Sequence, residues 1–220
     1  MQPLVRPMAD NHTSRMVALL GALRKQMNGA MLDTFRCYGA DYGANYGVAI
    51  HTLRDMASEV GCDDEFARYL YRQQVRELQI IALWCADPMQ VVGDQDLEFW
   101  GAGLINSELA EQAAHALLSR VPSIATCLAE WIEGGDALRA YAALLAASRS
   151  TLIASDRVLE AIQMAVEKFP DNRLVAQGAV ALAASLIARE RPIARQLLCI
   201  SGDSASARYL LEEVAWRLEY

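Results

Sequence analysis

Apolar residues recur at every third or fourth position along almost the whole chain, and alternation with a period of two is nearly absent. Between residues 13 and 27 the apolar positions on one face are Met16, Leu19, Leu20, Leu23 and Met27. Residues 50–60 repeat the pattern, Gly61 then ends that helix, and Asp63 or Asp64 caps the next one. Because this spacing matches the turn of an α-helix, the pattern predicts helices throughout.

The predicted helices come in pairs, a surface helix followed by a more apolar one and then a break. The segment 75–86 is apolar almost all round, which is typical of a helix inside a layer of others, and Asp87-Pro88 ends it. The pairs are expected at 63–86, 95–119, 122–149, 155–188 and 192–219. Their period of about 30 to 37 residues is typical of stacked helical repeats.

No such pair can bury its apolar face alone, so the pairs must stack on one another. The expected fold class is therefore all-α, an α-solenoid of stacked helical pairs that forms a right-handed superhelix. A plain helical bundle is the alternative. We expect residues 1–220 to form a single repeat domain, with an N-terminal helical cap and Gly/Tyr junction at 1–48 and the repeats at 49–220.

Composition narrows the class of protein. Of the 220 residues, 54% are hydrophobic and 21% are charged, a profile typical of a soluble globular protein. The net charge of −7 argues against non-specific nucleic-acid binding, although net charge conceals local patches. Five cysteines without close pairs and no signal peptide favour reduced, mostly buried thiols in the cytoplasm. No apolar run approaches the ~18 residues of a membrane span.

The segment 45–88 resembles the AlkD-like family of HEAT-repeat DNA alkylation repair proteins. The features that carry the resemblance are Tyr46-Gly47-Val48, Leu53-Arg54 with Ala57, Leu70-Tyr71, Arg76-Glu77 and Ala86-Asp87-Pro88. A bacterial branch of that family also matches at Phe35, Gly39, Tyr42, Asn45 and Gly47. The resemblance covers residues 30–119 and implies HEAT-like helical pairs; the remaining residues have a compatible helical pattern.

The resemblance gives the stretch GADYGANYGVAIHTLRDMA, at 39–57, the role of joining the N-terminal cap to the first repeat. Gly47 is expected to take a backbone conformation closed to other residues, and Val48 to pin the turn to the core. The tyrosines at 38, 42 and 46 are expected to pack the junction, with contact to a ligand as the alternative.

The family's excising members, as the resemblance implies, use Trp-Asp-x-x-Asp on the second helix of a repeat, an Arg on the next repeat and a second Trp further on. A carboxylate can stabilise the positive sugar as the damaged base departs, and the indoles can stack on sugar and base. In this chain Ser107 replaces the first Trp, while Glu108 and Glu111 stand in for the two Asp. The Arg falls near Arg139, and Val180 lies where the second Trp is expected.

Glu108, Glu111, Gln112 and His115 share one helical face, and the two glutamates are the candidate catalytic residues. The alternative is a solvated helix face on which Glu111 pairs with His115. Because both indoles are absent and each carboxylate is one methylene longer, we expect glycosylase activity on alkylated purines to be weak or lost.

Positive charge is scarce around this candidate site. From Glu77 to Ser119 the chain has seven carboxylates and neither Lys nor Arg, so a phosphate backbone would be repelled there. The candidate nucleic-acid contacts are Arg139, Arg76, Arg149, Arg157 and Arg173. For each of them a surface salt bridge is the alternative.

Two functions remain open on the sequence alone. One is a repair protein that holds duplex or distorted DNA in a concave groove; the other is a non-catalytic helical scaffold that binds a protein or peptide there. The chain has no phosphate-binding loop, and its three scattered histidines lack the spacing of metal ligands, so we expect neither a metal nor another cofactor.

Overall fold

The structure is a computed structural model that describes residues 8–37, 42–200 and 202–219, with the side chains of residues 8–10 and 36 left out. The described residues form twelve α-helices and no strand, apart from one isolated bridge between Ala44 and Val75. This confirms the all-α expectation. The chain divides into two compact units, Met1–Asp87 (unit 1) and Pro88–Tyr220 (unit 2).

Unit 1 contains five of these helices. They are α1 (Met8–Lys25), α2 (Gly29–Cys37), α3 (Ile50–Val60), α4 (Asp64–Tyr71) and α5 (Arg76–Cys85). α4 packs against α5, and α3 packs against α5 as well. α5 is therefore the centre of unit 1, and all of its residues except Trp84 are buried. This agrees with the apolar pattern of the segment 75–86.

Asp63 caps α4, as the sequence predicts. Its carboxylate accepts a hydrogen bond from the Phe66 N–H at 3.1 Å and another from Arg15 of α1 at 2.7 Å. Burial by itself would raise the pKa of Asp63, but the bonds from Arg15 and Phe66 and the positive charge of Arg15 outweigh it, and the pKa is lowered. The same carboxylate thus orders the start of α4 and connects it to α1.

The Gly47 prediction is also confirmed. Gly47 has a φ of 69°, in the left-handed region. A Cβ atom at this position would collide with the carbonyl oxygen of Asn28, whose N–H donates to the Tyr46 carbonyl at 3.0 Å. Tyr42 is buried and Tyr46 half-buried, so both pack the junction as expected, while Tyr38 lies outside the described residues.

Unit 2 contains the remaining seven helices. They are α6 (Asp94–Gly101), α7 (Ser107–Ala116), α8 (Ile124–Glu133), α9 (Ala137–Arg149), α10 (Ser155–Lys168), α11 (Arg173–Ala194) and α12 (Ala205–Glu219). α7, α9 and α11 pack side by side in one row with α9 in the middle. α8 and α10 pack on each other and against this row, and α12 packs on α11. The unit is therefore two layers of helices.

The predicted helical pairs correspond to the observed ones up to the fourth. The fifth, expected at 192–219, starts after a break, as the sequence predicts. The helical conformation of α11 is interrupted at Glu190, whose φ and ψ of −141° and 68° are not helical, and a short helical segment then runs through Pro192 to Ala194. A short 3₁₀-helix at Arg195–Cys199 then precedes α12. Pro192 follows the bend by two residues, where the next helical turn starts and a missing N–H does no harm.

Two further expectations can be compared with the structure. Cys85 and Cys127 are buried, and burial raises the pKa of each thiol to about 12. Cys37, Cys62 and Cys199 are exposed, which corrects the prediction of mostly buried thiols. Within the described residues, no helix combines the length and the apolar character that crossing a bilayer requires.

Candidate nucleic-acid interface

α7 carries the carboxylates to which the resemblance assigns catalysis. Asn106 fixes the start of this helix, because its side-chain oxygen accepts a hydrogen bond from the Leu109 N–H at 3.0 Å. Ser107 is the first helical residue and is half-buried. Glu108 and Glu111 follow it on the same helix and are half-buried too. The helix therefore presents its two candidate carboxylates at partly accessible positions.

Glu111 has a partner on the neighbouring helix of the same row. The phenol of Tyr141, on α9, donates a hydrogen bond to Glu111 Oε1 at 3.0 Å. Tyr141 is 7% exposed, and burial, then the charge of Glu111 and the hydrogen bond itself, raise the pKa of the phenol. Tyr141 consequently remains protonated and holds Glu111 Oε1 towards α9.

The face of α7 that carries Glu108, Glu111, Gln112 and His115 is partly accessible. Gln112 is buried at 7% exposure, and Glu108, Glu111 and His115 are all half-buried. A solvated helix face stays the alternative prediction for these residues. The catalytic roles of Glu108 and Glu111 stay predictions.

Arg139 is held by a carboxylate. Its guanidinium, at the start of α9, donates two hydrogen bonds to Glu98 of α6, with nitrogen–oxygen distances of 2.6 and 2.8 Å. The bond from Arg139 lowers the pKa of Glu98, so the pair is ionised at neutral pH. Because both guanidinium nitrogens that face Glu98 are engaged, a phosphate would have to displace this carboxylate in order to reach them.

Gly101 makes room for that arrangement. A Cβ atom on Gly101 would lie 3.0 Å from Arg139 Nε and 3.1 Å from Cζ2 of Trp131, tighter than ordinary contact. Arg139 is therefore confined between the end of α6 and the buried ring of Trp131. The identity of residue 101 is thus part of what orients the Arg.

The structure corrects the prediction that Arg76 contacts nucleic acid. It is 1% exposed, and its Nη1 donates to the Val48 carbonyl at 2.9 Å and to Glu77 Oε1 at 3.0 Å. Its guanidinium lies 4.5 Å from the centre of the Phe35 ring. A side chain enclosed in this way has no surface to offer a phosphate. Arg76 and Glu77 instead join the start of α5 to the Gly/Tyr junction, where Glu77 Oε1 also accepts the Val48 N–H at 3.3 Å.

Two of the remaining candidate arginines, Arg149 and Arg173, lie apart from Arg139. Arg149 is the exposed last residue of α9, ten residues or about 15 Å along the helix from Arg139. Arg173 is the exposed first residue of α11, with its guanidinium 5.4 Å from the centre of the Tyr209 ring. The predicted arginines therefore do not gather at one point in unit 2. Contact of Arg139, Arg149 or Arg173 with nucleic acid stays a prediction.

Aromatic side chains do not replace the missing indoles near α7. Val180 is 7% exposed on the packed side of α11, and Trp100 is completely buried, so neither position can support stacking on a nucleotide. Trp131 is also buried. Trp216, on α12, is 59% exposed and has the Arg217 guanidinium 5.4 Å from the centre of its ring.

Comparison with known proteins finds a similar structure but no similar sequence. No protein-family model matches the sequence, and no curated protein matches it significantly. The structure superposes on a solved protein with a TM-score of 0.70 at 15% sequence identity, over 92% of this chain and 95% of the other. That protein belongs to a new family of proteins related to the HEAT-like repeat DNA glycosylases with affinity for branched DNA structures.

The chain has a HEAT-like repeat fold. The similarity extends beyond residues 30–119 to nearly the whole chain, so the helical pairs of unit 2 are HEAT-like repeats as well. This confirms the fold that the resemblance implied. The predicted right-handed superhelix and the single-domain organisation stay predictions.

Some residues that define the site were not found from the sequence. Tyr141 lies 30 positions after Glu111, the lower end of the repeat period predicted from the sequence, so that period was the signal that could have paired them. Glu98 and Arg139 are 41 positions apart, which is longer than the predicted period. Their pairing depends on the way in which α6 approaches the start of α9.

Proposed function

We propose that this chain is a DNA-binding HEAT-like repeat protein that recognises branched or distorted DNA and excises bases weakly or not at all. The observation that carries the proposal is the structural similarity along 92% of the chain to a protein from a family with affinity for branched DNA structures. The geometry of α7 supports the second half of the proposal.

Efficient excision would need groups that this chain has replaced. Ser107 and Val180 offer no ring on which a damaged nucleotide could stack, and neither position is exposed. Glu111 has one oxygen engaged by Tyr141. Electrostatic stabilisation of a departing base requires a carboxylate aimed at the positive sugar, and most of the substrate-gripping surface is missing here. Binding without turnover is the function that remains.

Binding can be measured directly. A fluorescent four-way junction and a linear duplex with the sequence of one arm would be titrated with the protein at about 50 mM salt, where several phosphate contacts give measurable affinity. We expect the junction to be bound more tightly than the duplex. If the protein binds neither the junction nor the duplex at this salt concentration, the proposal is refuted.

The proposal that bases are excised weakly or not at all has a separate test. Duplex DNA containing methylated purines would be incubated with the wild type and with Glu111→Gln, and the released bases would be quantified. We expect release near the uncatalysed background with both proteins. Release by the wild type that Glu111→Gln abolishes would show that Glu111 is a working catalytic residue and that the chain is a glycosylase.

A scaffold that binds a protein is the second candidate function, and the surface around α6 favours it. Val92 and Ile105, which flank α6, are 74% and 53% exposed, and carboxylates surround them in the sequence. Exposed apolar residues rimmed by charges mark protein interfaces where they form a contiguous patch, and we propose that Val92 and Ile105 belong to one. Under this alternative, substitution of Val92 and Ile105 by Ser would abolish capture of a partner, while DNA binding would be absent from the start.

A further inference from the structure

A group of exposed arginines in unit 2 lies where the α9–α10 turn meets the bend of α11. Residues 149–160 and 189–195 together contain five arginines and three carboxylates, in a chain whose net charge is −7. We call this surface the arginine edge and define it by its five arginines, Arg149, Arg157, Arg189, Arg191 and Arg195, all of which are exposed.

Two hydrogen bonds bring the segments of the arginine edge together. Arg189 Nη1 donates to the Ser150 carbonyl at 3.4 Å, and the Ser155 hydroxyl donates to Glu190 Oε1 at 2.7 Å. The turn between α9 and α10 is therefore in contact with the bend of α11. An open groove of about 660 Å³ follows the bend and is lined by residues 187–193.

The bend determines how these arginines are presented. In a straight helix Arg189 and Arg191 would point about 200° apart, on opposite sides. The non-helical conformation of Glu190 lies between them, and the two guanidinium groups bond to different neighbours. Arg191 Nη2 reaches the Leu218 carbonyl at 2.6 Å, at the end of α12. Carbonyl oxygens orient the guanidinium groups of Arg189 and Arg191 without neutralising their charge, so both remain able to attract anions.

One carboxylate of the arginine edge, Glu160, pairs with an arginine, and this pair is exposed to water. Arg157 and Glu160 form an ion pair at 3.0 Å with side chains that are 71% and 61% exposed. A pair so open to water is worth about 0–1 kcal/mol, and a phosphate group can replace the glutamate at little cost. Guanidinium groups also match phosphate oxygens with two parallel hydrogen bonds.

An apolar side chain stands between two of the arginines. Leu152 lies in the α9–α10 turn, between Arg149 and Arg157 in sequence, and its side chain is 65% exposed. Apolar residues that project from a basic protein surface can pack against base pairs whose stacking is interrupted. Continuous duplex offers no such base pair, whereas a branch point does.

Building on the proposed function, we infer that the arginine edge is the DNA-contacting surface of unit 2, with Leu152 packed on the base pair exposed at a branch. The candidate catalytic face of α7 has no part in this contact. The arginines supply affinity that does not depend on the DNA sequence and that falls with salt. Leu152 supplies the preference for branched DNA over continuous duplex.

The first test removes charge from the arginine edge. Arg149, Arg157 and Arg195 would each be replaced by Gln in one triple variant, while Arg189 and Arg191 stay because their carbonyl bonds join the segments. The matched control removes three exposed charges elsewhere, as Arg24→Gln, Lys25→Gln and Arg208→Gln. Both variants, checked for helical content and unfolding temperature, would be titrated against the four-way junction at about 50 and 200 mM salt, a range over which phosphate contacts become visible.

Each lost phosphate contact shallows the salt dependence of log K by ~0.9, so the triple variant should show a slope shallower by about 2.7. Between the two salt concentrations the wild type would therefore lose about 40-fold more affinity than the triple variant. The control triple should behave as the wild type does. If all three proteins bind the junction equally, the inference that the arginine edge contacts DNA is refuted, while the proposed function is unaffected. Failure of the wild type to bind would refute the proposed function itself.

The second test concerns the branch. Leu152→Ala should weaken junction binding by ~5-fold, the loss expected when part of a buried Leu surface is removed, with duplex binding and the salt slope unchanged. Ile105→Ala, at another exposed apolar residue of unit 2, is the control and should change neither. A Leu152→Ala variant that binds the junction as tightly as the wild type, or loses affinity for both DNAs equally, would remove Leu152 from the proposal.

Discussion

Arg76 of unit 1 and Arg157 of unit 2 each form an ion pair with a glutamate at 3.0 Å, and the two pairs have opposite surroundings. The side chains of Arg76 and Glu77 are 1% and 0% exposed, whereas those of Arg157 and Glu160 are 71% and 61% exposed. The buried pair is enclosed by protein groups and holds α5 to the Gly/Tyr junction. The exposed pair can dissociate in favour of a ligand. For an arginine in this fold, burial rather than the presence of a carboxylate decides between a structural and a binding role.

The largest effect is expected where the buried pair is broken. Arg76→Ala leaves the Glu77 carboxylate buried without its guanidinium, and should lower the free energy of unfolding by about 3–5 kcal/mol. Urea denaturation followed by circular dichroism measures this. Replacing both residues, as Arg76→Met with Glu77→Leu, should cost less, because no charge is then left buried, although the Val48 N–H and carbonyl lose their partners. If Arg76→Ala lowers the free energy of unfolding by less than about 1 kcal/mol, the buried pair contributes no more than an exposed pair does.

An intermediate effect is expected for Arg15 and Asp63, whose side chains are 32% and 30% exposed. Asp63→Asn keeps a residue suited to capping α4 but removes the charge, and should cost about 1 kcal/mol at neutral pH. Because the pKa of Asp63 is lowered on folding, its contribution is present above the ordinary carboxyl pKa and disappears as pH falls through the folded value.

Unfolding of the wild type and Asp63→Asn at a series of pH values from neutral down to strongly acidic tests the sign of this effect. The two stabilities should converge at the acid end. If the difference between them persists there without change, the capping geometry rather than the charge explains it.

A smaller effect is expected for the carboxylate of the exposed pair in DNA binding. Glu160→Gln removes a negative charge beside Arg157, and should raise affinity for the four-way junction by about 3-fold, the Coulomb energy of one charge at ~7 Å in water. Glu130→Gln, at an exposed position of α8, is a control that removes the same charge away from the arginine edge. An identical gain for both variants would mean that net charge, and not the surroundings of Arg157, is responsible.

The smallest effect is expected for the stability of the arginine edge. Arg157→Ala should change the free energy of unfolding by no more than about 0.5 kcal/mol, as is usual for exposed positions. Thermal and urea unfolding of this variant, beside Arg76→Ala, compares the two surroundings directly. A loss of about 2 kcal/mol or more, well above the usual range for a surface site, would indicate that Arg157 is structural, contrary to our inference.

The helices of this chain were largely predictable because their apolar positions repeat with the helical period. The break near Pro192 was predicted as well, but the angle at which the chain continues after it was not, because a proline in a sequence marks a break without giving its direction. In the structure the chain bends at Glu190, and the arginine edge combines residues that the apolar pattern divides between two helical pairs.

The candidate site was less predictable than the fold. The sequence identified Glu111 through a motif, but its bond to Tyr141 depends on the packing of α7 against α9. Arg76 was a reasonable candidate by charge alone, since an Arg in a sequence carries no sign that it will be enclosed by Val48, Glu77 and Phe35. Charge can be read from a sequence, whereas the accessibility of that charge follows from tertiary packing.

The different exposure of the cysteines has a practical consequence for spectroscopy. Cys85 and Cys127 are buried with high pKa values and should not react with maleimide dyes, while Cys62 of unit 1 and Cys199 of unit 2 lie at the surface. Once Cys37 is replaced by Ser, a donor and an acceptor dye would attach only to these two thiols. Single-molecule energy transfer between them would then report, without any redesign of the interior, whether the separation of the two units changes when junction DNA is added.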